Sequence, residues 1–154
     1  DAEQLSFPSG QDLIVSCSAL QWFVSPELFF KRCNALLSGH GYFAFSTFGK
    51  ENLKEIAAVT GSGLHYYSLE ELKKSLSMHY NIVTAGEERI RLTFATPLDV
   101  LYHLKHTGVT AVCRQAWTKG DLQEFCDKYA KLFSCGNAVT LIYHPLYIIA
   151  RKKP

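Results

Sequence analysis

Three short segments carry groups whose types and spacing can do chemistry. The chain opens with Asp1-Ala2-Glu3, an acid followed by backbone N–H groups. Such an acceptor–donor pair can read an adenine, whose amino group donates and whose ring nitrogen accepts. The same tripeptide also reads as a loop or helix-capping acid. The second segment, Ser16-Cys17-Ser18-Ala19-Leu20-Gln21-Trp22-Phe23, follows a β-branched run. There Gln21 can fix a polar group. Trp22 and Phe23 can wall a cation, which an aromatic face attracts, or can be a core pair. The third, Ser46-Thr47-Phe48-Gly49, offers hydroxyls and a close backbone approach, or is only a turn with a glycine.

Other chemistries lack a full set of residues. His103 and His106 lie three apart on an expected helix, a spacing that can chelate, but no third ligand converges on them. Surface or partner-facing histidines are the simpler reading, and no metal is expected. No G-x-S-x-G elbow is present. Gly61-Ser62-Gly63 resembles a hinge, since a phosphate loop needs a lysine and a preceding strand.

Those segments need a scaffold. Asp12 to Cys17 is a short apolar run, as expected of a strand buried on both faces. Ser25-Pro26 starts a helix, with Phe29, Phe30, Cys33, Leu36 and Leu37 at helical spacing and Gly39 as its left-handed stop. Tyr42 to Ser46 is a second strand, and strand–helix–strand with short connections demands a parallel pair. Further on, Lys50 to Val59 is expected to be helical. Ser68-Leu69-Glu70-Glu71 is a capping box. Ile82 to Phe94 reads as extended chain. Thr96-Pro97 starts a helix closed by Gly108, and Thr118-x-x-Asp121 caps another with a stripe of Leu122, Phe125, Cys126, Tyr129, Leu132 and Phe133. Val139 to Ala150 is a final strand, broken near Pro145 because proline cannot donate to a ladder.

Composition narrows the classes. A length of 154 residues with 47% apolar side chains allows one domain with a filled core. A net charge of +2 argues against nucleic acid as the main partner, and the Arg151-Lys152-Lys153 tail reads as solvated. No apolar run reaches the ~18 residues of a membrane span. Five cysteines without a C-x-x-C pair fit a reducing, cytoplasmic setting.

Several runs together resemble a known family. They are Asp1 to Phe7, Ser18-Ala19-Leu20-Gln21-Trp22, Phe45-Ser46-Thr47-Phe48-Gly49, Asn52-Leu53-x-Glu55 and Gly63-Leu64-x-Tyr66. Leu101-x-x-Leu104-Lys105-x-Thr107-Gly108-Val109-Thr110 and Thr140-Leu141-x-Tyr143-x-x-Leu146-Tyr147-x-x-Ala150-Arg151 extend the likeness. In this order they resemble the malonyl-acyl-carrier-protein O-methyltransferases of biotin synthesis. The resemblance implies an α/β, Rossmann-like class I methyltransferase fold, with strand order 3-2-1-4-5-7-6 and the last strand antiparallel. The Asp12 strand corresponds to strand four. The first strands and the glycine-rich motif have no counterpart. Residues 1–154 are therefore expected to be the C-terminal portion of one methyltransferase domain, with a substrate-covering helical segment at about 95–135. Val112 to Trp117 and His144-Pro145 depart from the family pattern.

The resemblance further implies S-adenosylmethionine as cofactor and methylation of the free carboxylate of malonyl-acyl carrier protein or malonyl-coenzyme A. Asp1, Ala2, Glu3, Ser16, Cys17, Ser18, Ala19 and Trp22 are the expected cofactor residues. Gln21, Thr47, Phe48, Lys105, Thr107, Arg114 and Tyr143 are the substrate candidates. Lys31, Arg32, Lys105 and Arg114 are candidates for docking an acidic carrier protein. No general base is assigned, because a malonyl carboxylate, with a pKa of roughly 3–4, is already anionic at neutral pH. The chain alone is expected to be inactive. Another small-molecule methyltransferase, or a non-catalytic fragment that pairs through an exposed Leu13–Val15 edge, are the alternatives.

Overall fold

Phe43, Phe45 and Thr47 alternate with Tyr42, Ala44 and Ser46, and this period of two gives their strand one buried and one open face. The computed structural model describes residues 7–109 and 117–154. Its elements are β1 (Gln11–Cys17), α1 (Pro26–Leu36), β2 (Leu37–Phe48), α2 (Lys54–Thr60), α3 (Leu69–Leu76), β3 (Tyr80–Glu87) and β4 (Ile90–Phe94). They continue with α4 (Pro97–His106), α5 (Lys119–Phe133), β5 (Ser134–Cys135), β6 (Ala138–Tyr143) and β7 (Pro145–Lys152). A 3-10 turn, Leu20–Trp22, lies between β1 and α1. Two units emerge, described separately below: Asp1–Lys50 with His65–Glu88 and Pro145–Pro154, and Glu51–Leu64 with Arg89–His144.

The first unit holds a sheet in the order β1-β2-β7-β3. β1 and β2 run parallel, with Ile14 opposite Phe43 and Val15 opposite Ala44. β7 is antiparallel to both β2 and β3. That is the 4-5-7-6 portion of the expected order, including its reversed strand. One face packs on α1 and α3 through Phe29, Phe30, Phe43, Phe45, Leu72, Leu76, Tyr80, Leu146 and Ile148. The rings of Phe43 and Phe45 stack at 5.0 Å, and the buried Tyr80 hydroxyl donates to the Phe30 carbonyl at 2.9 Å. On the other face, Gly86 lies under the Tyr147 ring, where a Cβ would come 2.5 Å from the nearest ring carbon.

The second unit packs α2, α4 and α5 on the antiparallel sheet β4-β6-β5. Its core is Leu53, Ile56, Val100, Leu104, Phe125, Tyr129, Val139 and Leu141. The Tyr129 hydroxyl donates to the Thr140 carbonyl at 2.8 Å. The expected helical segment at about 95–135 falls within this unit.

The structure differs from the sequence-based expectations at several points. β1 is not buried on both faces: Leu13 and Val15 are 56% and 59% exposed, because no described element covers that side. α1 ends at Leu36 and runs straight into β2, so Gly39 is a strand residue. Ser25 stands at the cap of α1 without a side-chain capping bond. The Lys50 to Val59 helix starts only at Lys54, and Gly61, at φ 68°, stops it rather than forming a hinge. The extended Ile82–Phe94 stretch and the final strand each divide between the two sheets, at Glu88-Arg89 and at His144. Leu132 is exposed and falls off the α5 stripe. The basic tail is not merely solvated: Lys152 and Lys153 donate to the carbonyls of Leu37 and Ser77, just beyond α1 and α3, where helix dipoles favour cations. The capping boxes at Ser68 and Thr118 match expectation, and Thr96 forms a third with Asp99.

Two outcomes test this architecture. Ile148→Ala, in the central strand, is expected to cost about 2–5 kcal/mol in urea unfolding. The Lys50 ammonium, and then the Ser68 backbone N–H and hydroxyl, hold the Glu71 carboxyl down at about 2 instead of 4.5. A depressed carboxylate stabilises the fold above its unfolded pKa, and that contribution fades as pH falls from 4.5 toward 2. Glu71→Gln should therefore flatten the dependence of the melting temperature on pH across that window. A curve parallel to that of the parent protein would contradict the assignment.

Candidate functional site

In open α/β sheets, ligands lie beyond the carboxyl ends of the strands. β1 and β2 end side by side here. Ser18 leaves β1 with φ 49°, a left-handed conformation unusual for a residue bearing a Cβ. The turn aims its N–H at the Ser46 carbonyl, 3.0 Å away, and at the Ser46 hydroxyl, 3.2 Å away. Gln21 then bridges the two strand ends. Its amide nitrogen donates to the Ser18 carbonyl at 2.6 Å, and its oxygen accepts from the buried Thr47 hydroxyl at 3.1 Å. Gln21 and Thr47, both substrate candidates, are thus brought together with Ser18.

The aromatic pair after β1 is divided. Phe23 packs edge-on against Phe29 at 4.5 Å and rests against the core, whereas Trp22 is 50% exposed at the mouth. Ser16 and Ala19 line a cavity of about 310 Å³ beside β1, together with Ile14, Phe23, Phe29 and Cys33. Burial pushes the Cys33 thiol up to about 12, so it fills space and is no nucleophile. Cys17 and Ser18 are exposed, and Phe48 is half-buried at the end of β2. Asp1, Ala2, Glu3 and Arg114 lie outside the described residues.

The remaining substrate candidates sit in the second unit. Lys105 is exposed on α4. Thr107 and Tyr143 meet: burial raises the Tyr143 phenol above its ordinary pKa, and a hydrogen bond with the Thr107 hydroxyl works the other way. His103, expected to be a surface or partner-facing histidine, instead has its Nε2 3.1 Å from the Tyr143 oxygen. Its four-residue spacing from Thr107, one helical turn, was the available signal. His106 instead donates from Nδ1 to the Tyr102 carbonyl at 2.7 Å.

The Asn52-Leu53-x-Glu55 run proves to be a clip on β6. The Leu53 N–H donates to the Ile142 carbonyl at 2.8 Å, and Glu55 accepts the Ile142 N–H at 3.1 Å. Asn52 accepts the His144 N–H at 3.1 Å, and the Glu51 N–H donates to His144 Nδ1 at 3.2 Å. Asn52, Glu55 and His144 are all buried. Three of these bonds occupy the N–H and C=O of Ile142 and the N–H of His144, so they bracket Tyr143.

Substitutions read both features. Ser18→Gly should leave stability unchanged or raise it by up to about 1 kcal/mol, while Ser18→Val should lower it by roughly 1–2 kcal/mol. Glu55→Ala should cost about 1–3 kcal/mol by stranding the Ile142 N–H, and Glu55→Gln, which keeps an acceptor, should cost less. Denaturant unfolding measures both series.

No family model matches the chain. It is 56% identical to the malonyl-[acyl-carrier protein] O-methyltransferase of Bacteroides thetaiotaomicron, over 99% of this chain and 62% of the relative. It is 54% identical to the protein of the same name from Bacteroides helcogenes, over 99% and 57%. The chain thus spans about three-fifths of the length of these relatives. A Bacillus halodurans structure described as a candidate methyltransferase aligns with TM-score 0.66 and 16% identity, covering all of this chain and 70% of that one. The [4+2]-cyclase SpnF aligns with TM-score 0.54 and 16% identity, covering 99% and 54%. The fold is Rossmann-like, of the methyltransferase type. Along nearly its whole length, the chain is similar to part of the malonyl-[acyl-carrier protein] O-methyltransferases.

Proposed function

We propose that the full-length protein is a cytoplasmic, S-adenosylmethionine-dependent methyltransferase of biotin synthesis. It esterifies the free carboxylate of a malonyl thioester carried by acyl carrier protein or coenzyme A. The observation that carries this reading is the 56% identity to a malonyl-[acyl-carrier protein] O-methyltransferase across 99% of the chain. Fold likeness alone would not suffice, since a cyclase shares it.

The mouth of β1 and β2 suits the cofactor. Ser16 and Ala19 face a cavity with apolar walls, the Ser18 and Ser46 hydroxyls lie at the strand ends, and the exposed Trp22 face can meet a cation. Ser16, Cys17, Ser18, Ala19 and Trp22 are the described residues that would hold it. S-adenosylmethionine, when bound, supplies an electrophilic methyl group. The chain's residues then have to orient the malonyl carboxylate, already an anion, and exclude water from it. Gln21 and Thr47 at the mouth are suited to hydrogen bonding with substrate, and Thr107 and Tyr143 are substrate candidates by the resemblance. Lys31 on α1 and Lys105 on α4 are exposed cations available to an acidic carrier protein.

A second reading draws on β1, whose exposed Leu13 and Val15 suit pairing with another chain. Among the described residues, no helix is long and apolar enough to cross a membrane. The deciding assay supplies the full-length protein with S-adenosylmethionine and either malonyl- or acetyl-acyl carrier protein. The expected result is a methyl ester from the malonyl substrate alone. Equal turnover of both would rule out carboxylate methylation. Concentration-dependent dimers of a protein that transfers no methyl group would favour the second reading.

A further inference from the structure

At the mouth of β1 and β2, most of the hydrogen-bonding capacity of Gln21 and Thr47 is already spent on the protein. The Ser18 carbonyl only accepts, so the Gln21 atom 2.6 Å from it is Nε2, and Oε1 is the end that faces Thr47. The Thr47 hydroxyl gives its single hydrogen to that oxygen at 3.1 Å. Thr47 is buried, and the one hydrogen the pair can still donate is the second on Gln21 Nε2. The rest acts on Ser18. Its N–H is held by the Ser46 carbonyl and hydroxyl, and its carbonyl by Gln21, which Thr47 fixes in turn. Two consecutive residues of β2 thus grip the first residue beyond β1 at both of its backbone groups. That residue is the one at φ 49°. The turn that follows uses the carbonyls of Ala19 and Leu20, which accept from the N–H groups of Trp22 and Phe23, and Leu20 is buried in the core. The loop is pinned at Ser18 and at Leu20, with Ala19 between them on the wall of the cavity.

We propose that Gln21 and Thr47 are positioning residues for S-adenosylmethionine: their bond holds Ser18 in its left-handed conformation and so presents Ala19 and Trp22 to the mouth. The assignment rests on the cofactor reading above and gives Gln21 its main role in the loop that walls the cofactor. A residue bearing a Cβ relaxes from this φ toward the ordinary regions unless its surroundings hold it, and Ala19, the next residue, would move with it. Strain kept in place by surrounding bonds marks a segment built in advance for its task. A loop already in its bound conformation loses less freedom when the ligand arrives, and the affinity is higher for it. Gln21 can do this because three residues separate it from Ser18, one turn of 3-10 helix, which returns its side chain over the carbonyl it caps.

Calorimetric binding of S-adenosylmethionine to the full-length protein, steady-state kinetics and amide hydrogen exchange test this. Gln21→Met keeps the length and loses both bonds. It should weaken cofactor binding about tenfold, with KM for the malonyl thioester at saturating cofactor unchanged. Thr47→Val, which loses one bond, should weaken binding about threefold, and Thr47→Ser, which keeps the hydroxyl, should recover most of that loss. Adding Thr47→Val to Gln21→Met should have little further effect. In the cofactor-free protein, exchange of the Ser18 N–H should quicken about tenfold in Gln21→Met while that of Ile148, in β7, stays as in the parent. That local pattern separates a loosened turn from a destabilised fold. Unchanged cofactor affinity in either Gln21→Met or Thr47→Val would overturn the proposal. So would a Thr47→Ser variant no better than Thr47→Val, or a rise in the malonyl KM alone, which would return Gln21 to the substrate. Should Gln21→Met not fold, the two Thr47 variants decide. A parent protein that binds no S-adenosylmethionine would instead remove the functional reading itself.

Discussion

The antiparallel seating of β7 between β2 and β3 is the constraint on which the first unit depends. Both of its edges are laddered, over seven residue pairs on each side. Its inward residues Leu146, Ile148 and Ala150 are completely buried. Pro145 is tolerated because it is the first residue of the strand, where a missing donor breaks least of the ladder. The far end is held by Lys152 and Lys153, whose ammonium groups occupy carbonyls just past two helices. β7 thereby sets the register of β2, and β2 in turn sets where β1 ends and Ser18 turns.

In the second unit the corresponding constraint is polar. β6 is paired with β4 along one side and with the two-residue β5 over only part of the other. Residues 51–55 complete that other side with two backbone and two side-chain partners. Leu53 adopts a left-handed conformation, φ 53°, to present its own N–H and the flanking Asn52 and Glu55 to one strand. A conformation costing of order 1–3 kcal/mol persists when its surroundings over-determine it, and four hydrogen bonds do so here. The same bonds hold the backbone either side of Tyr143, so a structural clip and a candidate recognition group share one short segment.

Legibility from sequence varied with the range of the interaction. The capping boxes at Ser68 and Thr118 were readable because a cap is completed within four residues. The parallel β1–β2 pair was readable because a helix links the strands. The exposure of Leu13 and Val15 was not, since an apolar run does not reveal whether anything covers it. In the sequence, Thr107 and Tyr143 stand as separate candidates. His103 reads as a surface or partner-facing histidine, because a histidine on a helix shows no partner until a strand some forty residues later packs against it. The Asn52-Leu53-x-Glu55 run was visible as a pattern, but its partners lie about ninety residues away.

Residue order by itself determined the succession of elements, the starts of the helices at Pro26, Leu69, Pro97 and Lys119, and the likeness to the methyltransferases. Local backbone sterics, side-chain period and capping chemistry act between near neighbours, and neighbours are what a sequence displays. Tertiary structure decided that the two late extended segments each divide between separate sheets, that the basic tail is ordered, and that His103, Thr107 and Tyr143 meet. Those outcomes depend on which open strand edges and apolar faces find one another across long loops. That is a competition among non-local contacts, in which no single stretch of residues carries its partner's address.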